Sequence, residues 1–206
     1  FLLFRTELEK RKHGPLLAAL ATVQFYQALR ISEVAALRFE DVRLDFRSPQ
    51  ESTIRICQHV IYPRTGKLKP IIEEGFKNAR GGHDSIKEQP LWRESFEALK
   101  SVFKVGCRGL IFGISAIEPF SYRTFQSAYD KSFRSAELPY TGTHIMRHGG
   151  TRRVYNATGG DLAIAQQLLG NTDLESTLVY AKRDKSALRK HVQKDWKENP
   201  ILEAMS

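Results

Sequence analysis

One β-branched, partly alternating run, TIRICQHVIY at residues 53–62, stands in a chain whose other apolar residues mostly recur at helical spacing. A period of two marks a half-buried strand, and a period near 3.6 marks an amphipathic helix. The pattern therefore predicts an α+β fold, mainly helical, with a small antiparallel three-stranded sheet. Thr65-Gly66 and Gly81-Gly82 are turn signals. KLKPII and SIKEQPL are accordingly expected as the second and third strands, joined by long polar hairpins.

The helical stretches can be placed from their apolar stripes and end signals. Residues 15–28, PLLAALATVQFYQA, predict a helix with Pro15 near its start and Leu16, Leu20 and Val23 on one face. Leu29 and Arg30 close it. Ser32 is expected to cap a second short helix, SEVAALRF, with Glu33 favourable in its first turn. Trp92, Phe96, Leu99 and Phe103 predict a helix over 91–104, and Phe125, Tyr129 and Phe133 another over 121–137. GLIF at 109–112 reads as a short buried strand or loop. A helix over 143–157 is ended by Gly159-Gly160, and Asp161 is expected to cap the next, DLAIAQQLLG. Thr172 or Asp173 can cap a short helix reaching Tyr180. Leu188, Val192 and Trp196 define a last helix over 185–197.

A chain of 206 residues can hold one domain with a real core, and 1–206 is read as one such domain. The formal net charge of +9 and pI of 9.6 call for an acidic partner, nucleic acid before an anionic membrane surface. No run of about 18 apolar residues exists, so no membrane span is expected. The start, FLLFRTELEKRK, lacks a signal-peptide pattern and an initiator Met, which reads as a fragment of something longer. Cys57 and Cys107 form neither a CxxC motif nor a disulfide framework, and a reducing, cytoplasmic setting is the simplest reading.

Chemistry concentrates in two segments. In the first, ALRISEVAAL, Arg30 lies between apolar neighbours at a helix junction. A partly buried guanidinium there needs an acidic partner or an anionic ligand, and Glu33 is one candidate partner. In the second, His144 and Arg147 are three apart and share a helix face, with His148 one turn after His144. Such a cluster at the front of a helix can receive an anion, although spacing alone is better met by a solvated polar face. Tyr180, in STLVYAKR, would taken singly be a packing residue, since a free phenol ionises near pH 10 and attacks poorly at neutral pH.

Taken together the order and spacing say more. Ala28-Leu29-Arg30 with Glu33, then HIMRH at 144–148, then Leu168-Leu169-Gly170-Asn171, then Tyr180, resemble the catalytic domain of the tyrosine recombinase (phage integrase) family over about residues 14 to 190. The resemblance implies the DNA breaking-rejoining catalytic fold, and a site-specific recombinase that cuts and rejoins DNA through a 3′-phosphotyrosine. A nicking-closing enzyme of the type IB topoisomerase kind, or an inactive DNA-binding module of the same fold, are the alternatives. Metal and organic cofactors are not expected.

Carried over residue by residue, the resemblance makes Arg30 and Arg147 ligands of the scissile phosphate. It makes His144 a phosphate hydrogen-bond partner that assists proton transfer, and Tyr180 the nucleophile. Glu33 would brace the site and His148 would help near the nucleophile. The family's hairpin lysine, general acid toward the leaving 5′-oxygen, best matches Lys77, with Lys67 and Lys69 as competitors. Asn171 stands where the family commonly has His or Trp. Its amide can donate to a phosphate oxygen but cannot shuttle a proton. Arg64, Lys67, Lys69, Arg80, Arg123, Lys131, Arg152 and Arg153 are candidate DNA-backbone contacts. The implied partner is double-stranded DNA, on which a homo-tetramer forms, with the final helix docking either on a neighbouring protomer or on its own domain. An N-terminal DNA-clamping domain is expected to be missing from this stretch, and the isolated domain can be a monomer.

Overall fold

The computed structural model describes residues 1–63, 69–75, 86–103 and 106–169, and it divides into two compact units, Phe1–Gly150 and Thr151–Ser206. Seven α-helices and five strands occur among the described residues. In the first unit these are α1 (Leu2–Glu9), α2 (Gly14–Tyr26), α3 (Ile31–Ala35), β1 (Val42–Arg43), β2 (Thr53–Ile56), β3 (Gln58–Ile61), β4 (Ile71–Glu74), β5 (Lys87–Pro90), α4 (Arg93–Val102) and α5 (Tyr122–Ser135). Helix α6 (His144–Ala157) runs from the first unit into the second, which then holds α7 (Leu162–Leu169).

The core of the first unit is built around α2. Every residue from Leu17 to Gln24 is buried, so this helix is enclosed on all sides and not only along the single stripe expected from its sequence. Helix α1, which no apolar stripe announced, lies against α2 and α5. It inserts Phe4 and Leu8, both fully buried, with Phe4 packed edge-on to Tyr129 at 5.1 Å between ring centres. Two polar side chains inside this core are satisfied by each other. Tyr129 donates to Gln24 Oε1 at 2.9 Å, and Gln24 Nε2 donates to the Thr143 carbonyl at 3.2 Å. That pair ties the last turn of α2 to the start of α6.

The expected sheet is present with a different division of strands. β1, β2 and β5 form a three-stranded antiparallel sheet in the order β1-β2-β5, and β3 and β4 form a separate two-stranded ribbon. The run 53–62 is therefore two strands broken at Cys57. Ile54 and Ile56 alternate inward on β2, whereas Gln58, His59 and Val60 are buried consecutively on β3, which a single period of two cannot accommodate. Cys57 turns out of the alternation and donates its thiol to Asp41 Oδ1 at 3.1 Å. The strand expected from SIKEQPL is β5, with Arg55 opposite Glu88 and Ile56 opposite Lys87.

Helix ends follow the sequence closely. Ser121 caps α5 by accepting from the Thr124 N–H at 3.2 Å. Asp161 Oδ1 accepts from Ala163 and Ile164 at 2.8 and 3.2 Å, the expected cap of α7. Gly159 and Gly160, with φ of 69° and 97°, stop α6 as their position predicted. The cap of α3 is Arg30 and not Ser32. Residues 170–206, with Gly170, the expected helices near Tyr180 and over 185–197, lie outside the described residues, as do both hairpin turns.

Candidate functional site

The junction between α2 and α3 is fixed from both sides. At the end of α2 the Leu29 N–H donates to the Gln24 carbonyl at 3.0 Å and the Ala28 N–H to the Phe25 carbonyl at 3.2 Å. This is the Schellman pattern, and its left-handed residue is Ala28, with φ of 51° where glycine is usual. At the start of α3 the Arg30 N–H donates to Glu33 Oε2 at 2.8 Å, the return half of a capping box. The two motifs abut, one ending at Leu29 and the other opening at Arg30, so the backbone carrying Arg30 has little freedom left.

Arg30 and Arg147 meet on one carboxylate. Arg30 Nη1 bonds Glu33 Oε1 at 2.7 Å, and Arg147 Nη1 lies 3.5 Å from Glu33 Oε2. Arg147 Nη1 also donates to the Ala28 carbonyl at 2.9 Å. All three side chains are largely buried, with side-chain exposures of 14% for Arg30, 4% for Glu33 and 7% for Arg147. Burial works to raise the Glu33 carboxyl. Arg147, then Arg30 and its backbone N–H, outweigh it and hold the group below the ordinary carboxylate value. A buried charge cluster of this kind is costly to build and is held by its mutual pairing.

Two glycines set how closely α6 approaches. A Cβ on Gly150 would lie 1.8 Å from the Phe25 carbonyl oxygen, and one on Gly149 would lie 2.8 Å from the Phe25 ring. Helix α6 thus runs against the backbone of α2, which brings Arg147 within reach of Ala28 and Glu33.

A cleft of 760 Å³ opens beside this cluster, lined by Arg30, Ser32, His59, Tyr62, Tyr122 and His144 among others. His144 is exposed at its edge, and the His144 and His148 rings stand 6.3 Å apart on one face of α6, as their spacing predicted. Tyr122 reaches Thr143 Oγ1 at 3.3 Å, which fixes the cleft wall to the start of α6. Arg30 and His144, distant in sequence, therefore share one cavity, and Arg147 lies beneath it on Glu33.

The sequence reading missed Lys87. This residue is on the edge strand β5, on the same face as the buried Gln89, whose Oε1 accepts from Gln27 Nε2 at 3.3 Å. That face looks toward the end of α2 and the Arg30 junction. Burial chiefly, with the Arg147 and Arg30 guanidiniums adding to it against the pull of Glu33, lowers the Lys87 ammonium to about 7. Alternation of Lys87 with Gln89 was the only sequence signal for it, and the strand's register could not be read from SIKEQPL. The expected lysine, Lys77, lies outside the described residues, as do Arg64, Lys67, Arg80, Asn171 and Tyr180. Among the remaining candidates Lys69, Arg123, Lys131 and Arg152 are exposed, Lys69 lying 3.8 Å from Glu118, and Arg153 is partly buried.

The order of these helices and strands is that of the DNA breaking-rejoining catalytic fold. The phage integrase family model matches residues 6–187, and the chain belongs to that family. Solved structures agree on the fold. The Tn1549 transposon integrase in complex with transposon right-end DNA superposes with a TM-score of 0.71 at 18% identity, over 94% of this chain and 63% of that one. The catalytic domain of bacteriophage HP1 integrase gives 0.58 at 19% identity, over 97% of this chain and 91% of that one. The XerH site-specific recombinase bound to its difH substrate gives 0.57 at 17% identity, over 96% and 52%. This chain thus spans less than two thirds of the transposon integrase and about half of XerH. None of the curated protein sequences matches it. No described helix is long and apolar enough to cross a membrane.

Proposed function

We propose that this chain is the catalytic domain of a site-specific DNA recombinase, an enzyme that breaks and rejoins DNA through a 3′-phosphotyrosine. The observation that carries the reading is the convergence of Arg30 and Arg147 on Glu33 beside the cleft that Arg30 and His144 line. Glu33 takes only part of each guanidinium's donor capacity, and a planar guanidinium suits the paired oxygens of a phosphate.

In this reading the two arginines hold the non-bridging oxygens of the scissile phosphodiester and His144 adds a hydrogen bond from the cleft edge. Tyr180 attacks phosphorus in line. The phenol's proton passes to a base of the protein, a phosphorus–oxygen bond to Tyr180 forms, the bond to the 5′-oxygen breaks, and that oxygen leaves with a proton supplied by the protein. Charge grows on the equatorial oxygens during the step, where fixed cations in a water-poor site act most strongly. The exposed basic residues Arg123, Lys131 and Arg152 would add sequence-independent contacts to the DNA backbone.

Trapping on a suicide duplex, nicked so that the cleaved end diffuses away, followed by peptide mapping of the modified residue, tests the proposal. An adduct on Tyr180 is the expected result, and one on any other residue would overturn it. Strand exchange between two duplexes, against simple relaxation of a supercoiled plasmid, separates recombinase from nicking-closing activity.

A further inference from the structure

His59 has no place in the chemistry set out above, yet it lines the same cleft as Arg30 and His144. It stands on β3 directly opposite Glu73 of β4, and opposite residues of an antiparallel pair project to one side. Its ring is engaged at both nitrogens. Nδ1 lies 2.7 Å from the Gly75 carbonyl oxygen, and Nε2 lies 3.3 Å from Glu73 Oε2. A carbonyl oxygen only accepts, so Nδ1 carries hydrogen and donates. Gly75 is itself pinned. Its N–H donates to the Cys57 carbonyl at 2.7 Å, and its φ of 84° is one that glycine adopts freely. The ring is thus oriented by backbone, and Nε2 is the nitrogen left to change partner.

We propose that His59 Nε2 is a further phosphate contact of the cleft, for a DNA phosphate beside the scissile one, and that Glu73 holds this place until DNA arrives. The inference rests on the functional reading given above and adds a residue to its site. Exposure decides which partner yields. The His59 side chain is 11% exposed and that of Glu73 is 58% exposed. The imidazole therefore stays, and the carboxylate can swing into water at little cost, since an ion pair open to solvent is weak. A phosphate oxygen then offers Nε2 the same charge from the same side, in a charge-assisted hydrogen bond.

The sign of Glu73 supports this. It is the one acidic side chain among the described residues that line the cleft, where it stands with Arg30, His59 and His144. A carboxylate fixed in the path of a polyanion works against binding. Paired with His59, it satisfies a largely buried imidazole in the free protein and leaves when a stronger anion comes. Glu74, the next residue, is also exposed and opposes Gln58, so the pleat turns it to the other side of β4. It carries the same charge on the same strand, away from His59, and serves as the control.

Fluorescence anisotropy tests the inference, with the full chain and one labelled duplex, at about pH 6 and over a range of sodium chloride concentrations. His59→Asn is the central variant, because the asparagine amide can still donate to the Gly75 carbonyl but places nothing where Nε2 was. Its affinity at low salt should fall about fivefold, and its plot of log K against log salt should become shallower by about 0.9, the loss of one phosphate contact. Glu73→Gln should raise affinity at least about threefold more than Glu74→Gln does, and that difference should vanish when His59→Asn is also present. Both glutamates are exposed, so their variants keep the fold and decide the matter alone if His59→Asn unfolds. Equal effects of the two glutamate changes, or an unaltered salt slope in folded His59→Asn, overturn the inference. Failure of the functional reading is seen separately, as absence of a Tyr180 adduct on the suicide duplex while binding keeps its dependence on His59.

Discussion

Arg147, on α6, comes within 3.5 Å of Glu33, on α3, and shares that carboxylate with Arg30. The contact joins the start of the first unit to its end. It makes Glu33 the brace of the pair, since without it two buried guanidiniums would face each other.

Glu33→Gln should therefore be among the most damaging conservative changes in the chain. An amide cannot balance two guanidiniums, and breaking a buried charge network of this kind costs about 3 kcal/mol. Its pH signature follows from the lowered carboxyl. A carboxyl whose folded value lies below its unfolded one contributes stability above the unfolded value, near 4.5, and loses it as pH falls through the folded value. Urea unfolding from pH 7 down to pH 3 should show the wild type losing this contribution on the acid side. Glu33→Gln should start lower and have a flatter acid limb.

Arg147→Lys separates grip from charge. Lysine keeps a positive charge but cannot serve the Ala28 carbonyl, Glu33 and a phosphate at once. Cleavage of a suicide duplex should fall by at least about 100-fold, the usual loss when one transition-state donor is removed. Affinity for duplex DNA, measured by fluorescence anisotropy at fixed salt, should change by less than about threefold, because one backbone contact among many carries little of it. Equal losses in both would indicate a purely binding arginine.

Gly150→Ala tests the seating of α6 with a sign that runs against helix propensity. In an open helix this change gains about 1 kcal/mol. Here the added methyl would stand 1.8 Å from the Phe25 carbonyl oxygen, which is backbone and cannot swing aside. Loss of about 2 kcal/mol is expected instead, from overpacking. Gly149→Ala meets the Phe25 ring at 2.8 Å and should cost less, about 1 kcal/mol, because a side chain can yield. Thermal unfolding of the two variants beside the parent gives the ranking.

Tyr180→Phe should abolish the covalent DNA adduct and leave DNA affinity within about twofold, since a single hydroxyl adds little to a contact made by many phosphates. Cleavage by the parent should survive EDTA. A strict need for a divalent ion would point to another mechanism, and an adduct on the phenylalanine variant would remove Tyr180 as nucleophile.

How much of this could be read from sequence depended on the kind of signal. Arg30, Glu33, His144 and Arg147 were identifiable because their chemistry and order are distinctive, and the structure brings them together. Helix ends were legible where the capping side chain or glycine stood at the end of a clear stripe, as at Asp161 and Gly159. The α3 cap was misread because Arg30 uses its backbone N–H toward Glu33, a role open to any residue type, whereas Ser32 only had the usual side chain. The break at Cys57 and the position of Lys87 both depend on strand register. Register is set by long-range pairing, and a polar stretch such as KEQP offers only the weak alternation of Lys87 with Gln89.

The left-handed Ala28 and the glycine pair on α6 also govern when the site comes into being. Ala28 presents its carbonyl to Arg147, and Arg147 can take it only once α6 has settled against Phe25. Arg30 and Glu33 leave the ribosome long before Arg147 does. A nascent or half-folded chain thus carries half of the Arg30–Glu33–Arg147 cluster and none of its closure, and long-range closure is the slow kind of folding step. On the function proposed above, strand scission would be confined to the finished fold, and a cell making this protein would not be exposed to nicks from chains still being made.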